Sequence, residues 1–201
     1  MYKILHLEST DVCNLACPAC AREVDPAFRK DSKHHLTVEQ IHNHISESEI
    51  AQLDKMFMCG NYGDPLLNNN LLDMVKYTVE TKQNIEIRIH TNGSLRNKAW
   101  WIDLAKSLPS NHRVIFGIDG LEDTHSIYRI GTDFNKIIEN AKAFIEAGGR
   151  AKSDTIMFAH NEARIDELKD YLLSIGYTFP EGFTGFDAVY QEDDPQETLD
   201  L

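Results

Sequence analysis

The sequence has no excess of basic residues and no long apolar run. Its 201 residues carry 20 Lys and Arg against 32 Asp and Glu, which gives a formal net charge of −12. A general nucleic-acid binder, or a protein that docks on anionic membranes, needs a basic face, so this balance argues against both. No apolar segment is long enough to span a bilayer, and no signal peptide is recognisable, so we expect a cytoplasmic protein.

Cysteine is also scarce, and its placement is informative. The chain has four cysteines, and three of them fall in one short stretch, Cys13-Asn14-Leu15-Ala16-Cys17-Pro18-Ala19-Cys20. This spacing does not suggest a disulfide framework and fits a reducing compartment. Thiolates hold iron–sulfur clusters and soft metals, so the stretch predicts a metal-binding loop. Two alternatives stay open, namely part of a zinc site completed by a histidine, and three unrelated buried thiols.

Strand-like and helix-like segments alternate along the chain. The strand-like segments are residues 2–7, 55–59, 85–89, 114–116, 155–158 and a last apolar piece at 183–189. The helix-like segments are residues 34–54, 70–81, a stretch around Trp100 and Trp101, 134–148 and 163–175. Alternation of this kind predicts an α/β fold with a parallel sheet and helical crossovers. We expect one domain over residues 1–190, followed by an acidic, flexible tail over 191–201.

Every unusual motif falls where a predicted strand ends. The cysteine loop follows the first strand, and the glycine-rich turn Gly60-Asn61-Tyr62-Gly63-Asp64-Pro65 follows the second. The later strands end in three further motifs, His90-Thr91-Asn92-Gly93, Gly117-Ile118-Asp119-Gly120 and His160-Asn161. In parallel barrels and open α/β sheets this edge is where ligands bind. The motifs therefore predict one composite site around the cysteine loop.

This set of motifs resembles the radical S-adenosylmethionine (radical SAM) superfamily over roughly residues 3–176. The C-x3-C-x2-C loop is similar to its cluster motif, and the turn at residues 60–65 to its glycine–acid–proline motif. Thr91-Asn92-Gly93 and the segment from Gly117 through His125, Tyr128 and Arg129 to Gly131 resemble the branch that modifies peptides and proteins.

The resemblance implies a fold, two cofactors and a set of contacts. The fold would be a partial (β/α)6 TIM-like barrel with parallel strands. Cys13, Cys17 and Cys20 would hold a [4Fe-4S] cluster whose open iron chelates S-adenosyl-L-methionine. The implied cofactor-binding residues are Gly60, Gly63, Asp64, Asn92, Gly117 and Arg129. No side chain is assigned a catalytic role, and His125 and His160 are expected to be structural.

The implied activity is that of an enzyme. A 5′-deoxyadenosyl radical, formed by reductive cleavage of S-adenosyl-L-methionine, would abstract hydrogen from an unknown substrate, with a peptide or protein favoured. The electron would come from an external donor, and no membrane or general nucleic-acid partner is expected. Two other functions stay open, a non-catalytic iron–sulfur electron carrier or sensor and a zinc-binding structural domain.

Several residues have a simpler alternative role or depart from the family pattern. Asp64 replaces a Glu and is expected to meet the cofactor's ammonium, with capping of its own turn as the alternative. For Asn92, the alternative to a cofactor contact is the role of a simple turn asparagine. Asp119 is expected to hold its own loop. Ala19 stands where the family often has an aromatic residue, and Gly117 where the branch commonly has Ser. That branch often carries a C-terminal cysteine-rich extension that binds auxiliary clusters, and the sequence given shows none.

Overall fold

Five parallel strands form one open sheet in the computed structural model, which describes residues 3–25 and 33–178. The strands are β1 (Ile4–Leu7), β2 (Lys55–Met58), β3 (Glu86–Thr91), β4 (His112–Gly117) and β5 (Ala151–Asp154). Their spatial order, β1-β2-β3-β4-β5, follows the chain order, and each neighbouring pair is parallel. Helices connect successive strands, as parallel pairing requires. The prediction of an α/β fold with a parallel sheet is confirmed.

The described residues form eight α-helices. They are α1 (Ala21–Val24), α2 (Val38–His44), α3 (Glu47–Ile50), α4 (Leu71–Thr81), α5 (Lys98–Ser107), α6 (His125–Tyr128), α7 (Phe134–Glu146) and α8 (Ile165–Ser174). Four of these helices, α2, α3, α5 and α7, begin at a side-chain cap. Thr37 and Gln40 form the predicted capping box of α2. Asp133 accepts a hydrogen bond from the Lys136 amide at the start of α7. Gly148 follows this helix with φ at +95°, a conformation that glycine adopts without steric cost.

The apolar core lies between the sheet and the helices. Along β3, the buried Ile87 and Ile89 alternate with the partly exposed Arg88 and His90, so the strand has one core face and one polar face. On the core side, Trp101 stacks on Phe116 with the ring centroids 5.2 Å apart. The opposite face of the sheet is polar. The motifs lie at the carboxyl ends of the strands, next to this polar face.

Two predicted elements were wrong in their limits. The single helix predicted over 34–54 is two helices, because Ser46 and Glu49 form a second capping box that starts α3. The fifth strand is Ala151–Asp154 and not 155–158. The apolar residues of segment 155–158 make a different contact. Phe158 packs on Tyr128 with the ring centroids 4.5 Å apart.

Two predicted segments lie outside the described residues, namely the sixth strand at 183–189 and the acidic tail at 191–201. The helix predicted over 163–175 begins as a short 3-10 turn, Glu162–Arg164, and continues as α8. Its Leu168 and Leu172 are buried, as predicted, whereas Ile165 is only partly buried. Among the helices of residues 3–25 and 33–178, none combines the length and apolar character that a membrane crossing needs.

Candidate active site

One cavity of about 510 Å³ opens at the carboxyl ends of the strands and collects most of the sequence motifs. Its volume lies in the usual range of ligand sites, about 300–1,000 Å³. The nine candidate residues that line it are Cys13, Cys17, Cys20, Gly60, Gly63, Asp64, Asn92, Gly117 and Arg129. The structure thus brings all of the predicted metal and cofactor residues to a single place.

The three cysteines of the loop rest on a small apolar cluster beneath the cavity. Cys17 is buried with Leu15, Tyr128 and Phe158, and the other two thiols pack against the same cluster. Burial raises the pKa of the Cys17 thiol to about 11, although the nearby cation of Arg129 lowers it in part. The Cys17 thiol is therefore protonated at neutral pH, and a thiol loses its proton when a metal binds.

Three thiols around one cavity have the donor chemistry of an iron–sulfur cluster. Within residues 3–25 and 33–178, no three Cys, His, Asp or Glu side chains converge closely enough to hold one metal ion. A tetrahedral zinc site needs four ligand atoms at about 2.0–2.3 Å from one centre. A cluster instead bonds each thiolate to a different iron, so three thiols around one cavity suit it.

Gly63 brings the glycine turn into contact with the cysteine loop. An added Cβ at Gly63 would lie 2.5 Å from both the amide nitrogen and the carbonyl oxygen of Val12. The Asp64 amide donates to the same carbonyl oxygen at 2.9 Å. Gly63 was expected to bind the cofactor, and the structure shows that it also lies against the residue before Cys13.

The Asp64 carboxylate is occupied by donors of the protein itself. It accepts hydrogen bonds from the Leu66 amide, the Thr91 hydroxyl and the Asn92 amide, at 2.7–2.9 Å. The side chain is buried, and burial raises its pKa, while these donors lower it in part. The turn-capping role, which had been the less favoured alternative, is therefore present. A bond from Asp64 to the cofactor's ammonium remains a prediction and would have to use the remaining lone pair.

Asn92 also makes contacts within the protein. Its Oδ1 accepts from the amide of Ser94, and its Nδ2 donates to Asn14 Oδ1 at 2.9 Å. Asn14 lies between the first two cysteines, so the third strand's motif is tied directly to the cysteine loop. The turn role proposed as the alternative is observed, together with a second role in holding that loop.

Arg129 is held at the end of β4 by a buried ion pair. Its Nε donates to Asp119 Oδ2, and the Asp119 side chain is fully buried. Burial alone would lower the pKa of Arg129, but the Asp119 carboxylate raises it overall, so the guanidinium stays charged. A Cβ at Gly117 would lie 2.7 Å from Nη2 of Arg129, so the glycine found in place of Ser leaves room for this cation.

Asp119 also bonds to three residues of two further segments, the connection after β5 and the start of α6. Its Oδ1 accepts from the Ile156 amide at 2.7 Å, and its carbonyl oxygen accepts from Asn161 Nδ2 at 2.7 Å. Its amide donates to Nδ1 of His125, which is fully buried. The prediction that Asp119 holds its own loop is confirmed, and the structure supports a structural role for His125.

Among the lining residues that were not predicted as site residues are three charged or titratable side chains, Arg22, His90 and Asp154. Arg22 follows the third cysteine, and its Nη1 donates to the carbonyl oxygen of Asp11. His90 and Asp154, at the ends of β3 and β5, face each other. His90 stood in a motif already noted, directly before Thr91. Asp154 gave no signal because the fifth strand had been placed four residues too late.

Comparisons with known proteins define the class to which this fold and site belong. The family model of the Radical SAM superfamily matches residues 7–172. The chain therefore belongs to the radical SAM superfamily, and the resemblance stated from its motifs is confirmed.

Curated relatives are similar to this chain in sequence, and a solved structure shares its fold. A GTP 3′,8-cyclase of Clostridium perfringens is 27% identical over 180 residues, covering 88% of this chain and 52% of that protein. A tungsten-containing aldehyde ferredoxin oxidoreductase cofactor-modifying protein of Pyrococcus furiosus is 25% identical, covering 87% and 49%. SuiB of Streptococcus suis bound to S-adenosylmethionine superposes with a TM-score of 0.69 at 18% identity, covering 94% and 44%. The chain spans about half the length of the curated relatives it matches.

Proposed function

We propose that this chain is a radical SAM enzyme that carries a [4Fe-4S] cluster on Cys13, Cys17 and Cys20. With the cluster and S-adenosyl-L-methionine bound, one electron from an external donor would cleave a C–S bond of the sulfonium to give methionine and a 5′-deoxyadenosyl radical, which would abstract hydrogen from the substrate and become 5′-deoxyadenosine. Such cofactors supply the difficult chemistry, and the protein supplies binding, orientation and shielding from water. The cytoplasmic location predicted from the sequence remains part of this proposal.

The observation that carries the proposal is the convergence of three thiols and a fixed guanidinium on one cavity. The thiols lie on the cysteine loop, and Arg129 is fixed beside Cys17 by Asp119. A planar guanidinium binds a carboxylate through two parallel hydrogen bonds, so Arg129 is our candidate for the methionine carboxylate. A simple electron carrier has no use for such an anion site next to its cluster.

The remaining motif residues shape this site by holding the cysteine loop. Gly63 and Asp64 fix the residue before Cys13, and Asn92 fixes Asn14. Gly60 turns the chain so closely that an added Cβ would lie 2.7 Å from the Gly63 carbonyl oxygen. We propose that these residues position the cluster loop first and touch the cofactor through backbone groups or remaining lone pairs.

The substrate class favoured for the chain is a peptide or protein. This proposal rests on the motif resemblance and on two solved structures of similar fold, each at 18% identity, that are complexes with a peptide: SuiB bound to precursor peptide SuiA, and anSMEcpe with bound AdoMet and Cp18Cys peptide. A nucleotide substrate is the alternative, because two of the curated relatives are GTP 3′,8-cyclases.

Anaerobic reconstitution with iron and sulfide tests the proposal. We expect a brown protein that binds about four irons per chain and that, with reductant, forms 5′-deoxyadenosine from S-adenosyl-L-methionine. A colourless protein with bound zinc would refute the cluster. A brown protein that never forms 5′-deoxyadenosine would favour the electron-carrier alternative.

A further inference from the structure

The polar face of the sheet continues below the cavity as a group of charged side chains. Phe57 lies on this face of β2, Glu86 and Arg88 lie on β3, and Arg113 lies on β4. Arg88 is in register with both Phe57 and Arg113, and residues in register on neighbouring strands point to the same face. Arg113 stands two residues before Ile115, which lines the cavity, so it lies about 7 Å below that level.

The carboxylate of this group, Glu86, is shared by two cations. Its Oε1 lies 2.5 Å from Nε of Arg88, and its Oε2 lies 3.3 Å from Nζ of Lys55. The Arg88 guanidinium also lies 5.1 Å from the centre of the Phe57 ring. Glu86 is therefore committed to Lys55 and Arg88, and these contacts fix the position of Arg88.

The charged groups nearer the rim of the cavity have partners of their own. Asp154 Oδ2 lies 3.5 Å from Nδ1 of His90, and Asp154 has a further contact. Glu8 Oε1 lies 3.2 Å from Nε2 of His6. Lys152, on the same face of β5, also has a partner. Each of these groups is engaged elsewhere, so the argument depends on Arg113 and not on them.

Arg113 forms no ion pair within the described residues. Its Nε is buried, and within the same residues it has no hydrogen-bond partner. A buried donor without a partner costs free energy. Two like charges side by side on neighbouring strands also cost free energy, and Arg113 and Arg88 are such a pair. An anion bound at Arg113 would remove both costs.

We propose that Arg113 binds an oxyanion of the substrate, a carboxylate or a phosphate, with Arg88 as a second cation beside it. A guanidinium donates two parallel hydrogen bonds to either group. With the anion held at Arg113, the part of the substrate about 7 Å away reaches the level of Ile115, inside the cavity. The inference rests on the proposed function, because it treats the cavity as the place where S-adenosyl-L-methionine and the substrate meet.

Two matched pairs of probes test the proposal on the anaerobically reconstituted protein, with the cluster oxidised and S-adenosyl-L-methionine present. Acetyl-Gly-Glu-Gly-amide is compared with acetyl-Gly-Gln-Gly-amide, and GTP with guanosine, and saturation-transfer NMR titrations give each Kd. We expect at least one anionic probe to bind about tenfold more tightly than its neutral match. A gain in the peptide pair alone identifies a carboxylate, and a gain in the nucleotide pair alone identifies a phosphate. A gain in both pairs means that the oxyanion itself suffices.

Variants locate the bound anion. Arg113→Met removes the charge but keeps much of the length of the side chain, and it should abolish the gain. Arg113→Lys keeps the charge without the two-donor fork and should retain part of the gain. Lys106→Gln loses one positive charge on the exposed surface of α5 and should leave every Kd unchanged. Iron content and circular dichroism verify that each variant is folded.

The stability of the probe-free protein gives a second, independent measurement. Because Arg113 has an unpaired donor and a like-charged neighbour, Arg113→Met should not lower the melting temperature. The matched control is Arg96→Met, since Arg96 donates to the carbonyl oxygens of Leu66 and Asn68 at 2.7 and 3.0 Å. The same change at Arg96 removes both bonds and should lower the melting temperature.

Four results would overturn the inference: lack of a gain in both probe pairs, a gain that persists in Arg113→Met, an equal loss in Lys106→Gln, and a lower melting temperature of Arg113→Met. Failure of the proposed function is a separate result, because wild-type protein without 5′-deoxyadenosine formation would refute the chemistry whatever the probes do.

Discussion

Replacing Gly63 with alanine should move the cysteine loop without removing any ligand. The added Cβ would lie 2.5 Å from the amide nitrogen and carbonyl oxygen of Val12 and 2.7 Å from the carbonyl oxygen of Thr10. These are backbone atoms of the segment that leads into Cys13, so no flexible side chain can give way. Ordinary contact begins at 3.4 Å, so the segment must retreat by about 0.9 Å.

The energy of this change follows from the two interactions that it disturbs. Overpacking of a well-packed site costs about 1–3 kcal/mol. Retreat of the segment also weakens the bond from the Asp64 amide to the Val12 carbonyl oxygen, worth about 0.5–1.5 kcal/mol. The free energy of unfolding should therefore fall by about 2–4 kcal/mol, which corresponds to a fall in melting temperature of roughly 5–15 °C for a chain of this size.

Two measurements on the same variant test this reasoning. Thermal unfolding gives the melting temperature, and iron content after anaerobic reconstitution reports the cluster, which we expect to be mostly lost. Gly148→Ala is the matched control, because its Cβ would meet no atom within 4 Å, although its φ of +95° makes alanine mildly strained. The control should lose some stability but bind iron normally. Normal iron content in Gly63→Ala would show that the glycine turn does not position the cysteine loop.

Three further outcomes follow from the site. Cys17→Ala should remove most of the bound iron after reconstitution, whereas Cys59→Ala, which lines the same cavity, should leave iron content nearly unchanged; the reverse pattern would refute the ligand assignment. Arg129→Gln and Asp119→Asn should each weaken S-adenosyl-L-methionine binding by about tenfold in calorimetric titration, with less than additive loss in the double variant, since Asp119 acts through Arg129. Stability should fall as pH drops from about 6.5 towards 3, because burial lowers the pKa of His125 to about 3 and the unfolded chain takes up the proton first; His125→Phe should flatten this slope in pH-dependent denaturation.

The sheet and most of its helices were predictable because their signals are local. The alternation of Ile85, Ile87 and Ile89 indicates a strand from neighbouring residues alone. The capping box at Thr37 indicates the start of a helix in the same way. The fifth strand was misplaced for the opposite reason. Its residues, Ala151–Asp154, carry a weak apolar pattern because the strand pairs only with β4 in the described sheet, and the stronger signal at Phe158 belonged to the cluster under the cysteine loop.

The composition of the site was predictable to the level of motifs but not to the level of contacts. A motif identifies which residues meet at the strand ends, because chain topology alone brings those ends together. It does not state which groups each side chain binds, since that depends on distances of a few tenths of an ångström between separate loops. Asp64 and Asn92 illustrate the limit, because the motif predicted cofactor contacts for both, which stay predictions, and gave no sign that both also hold neighbouring segments of the protein.

The contacts that the motif residues make within the protein change how variants of these residues should be interpreted. Asp64 joins the glycine turn to Thr91 and Asn92, and Asn92 in turn joins the third strand to Asn14 between the first two cysteines. Loss of the Asp64 carboxylate would therefore reach the thiols through two successive hydrogen bonds, before any effect on a bound cofactor. A variant that lost S-adenosyl-L-methionine binding and kept the full cluster spectrum would point to a direct contact. A variant that lost iron first would point to the loop, and the observed bonds lead us to expect that order for Asp64→Ala.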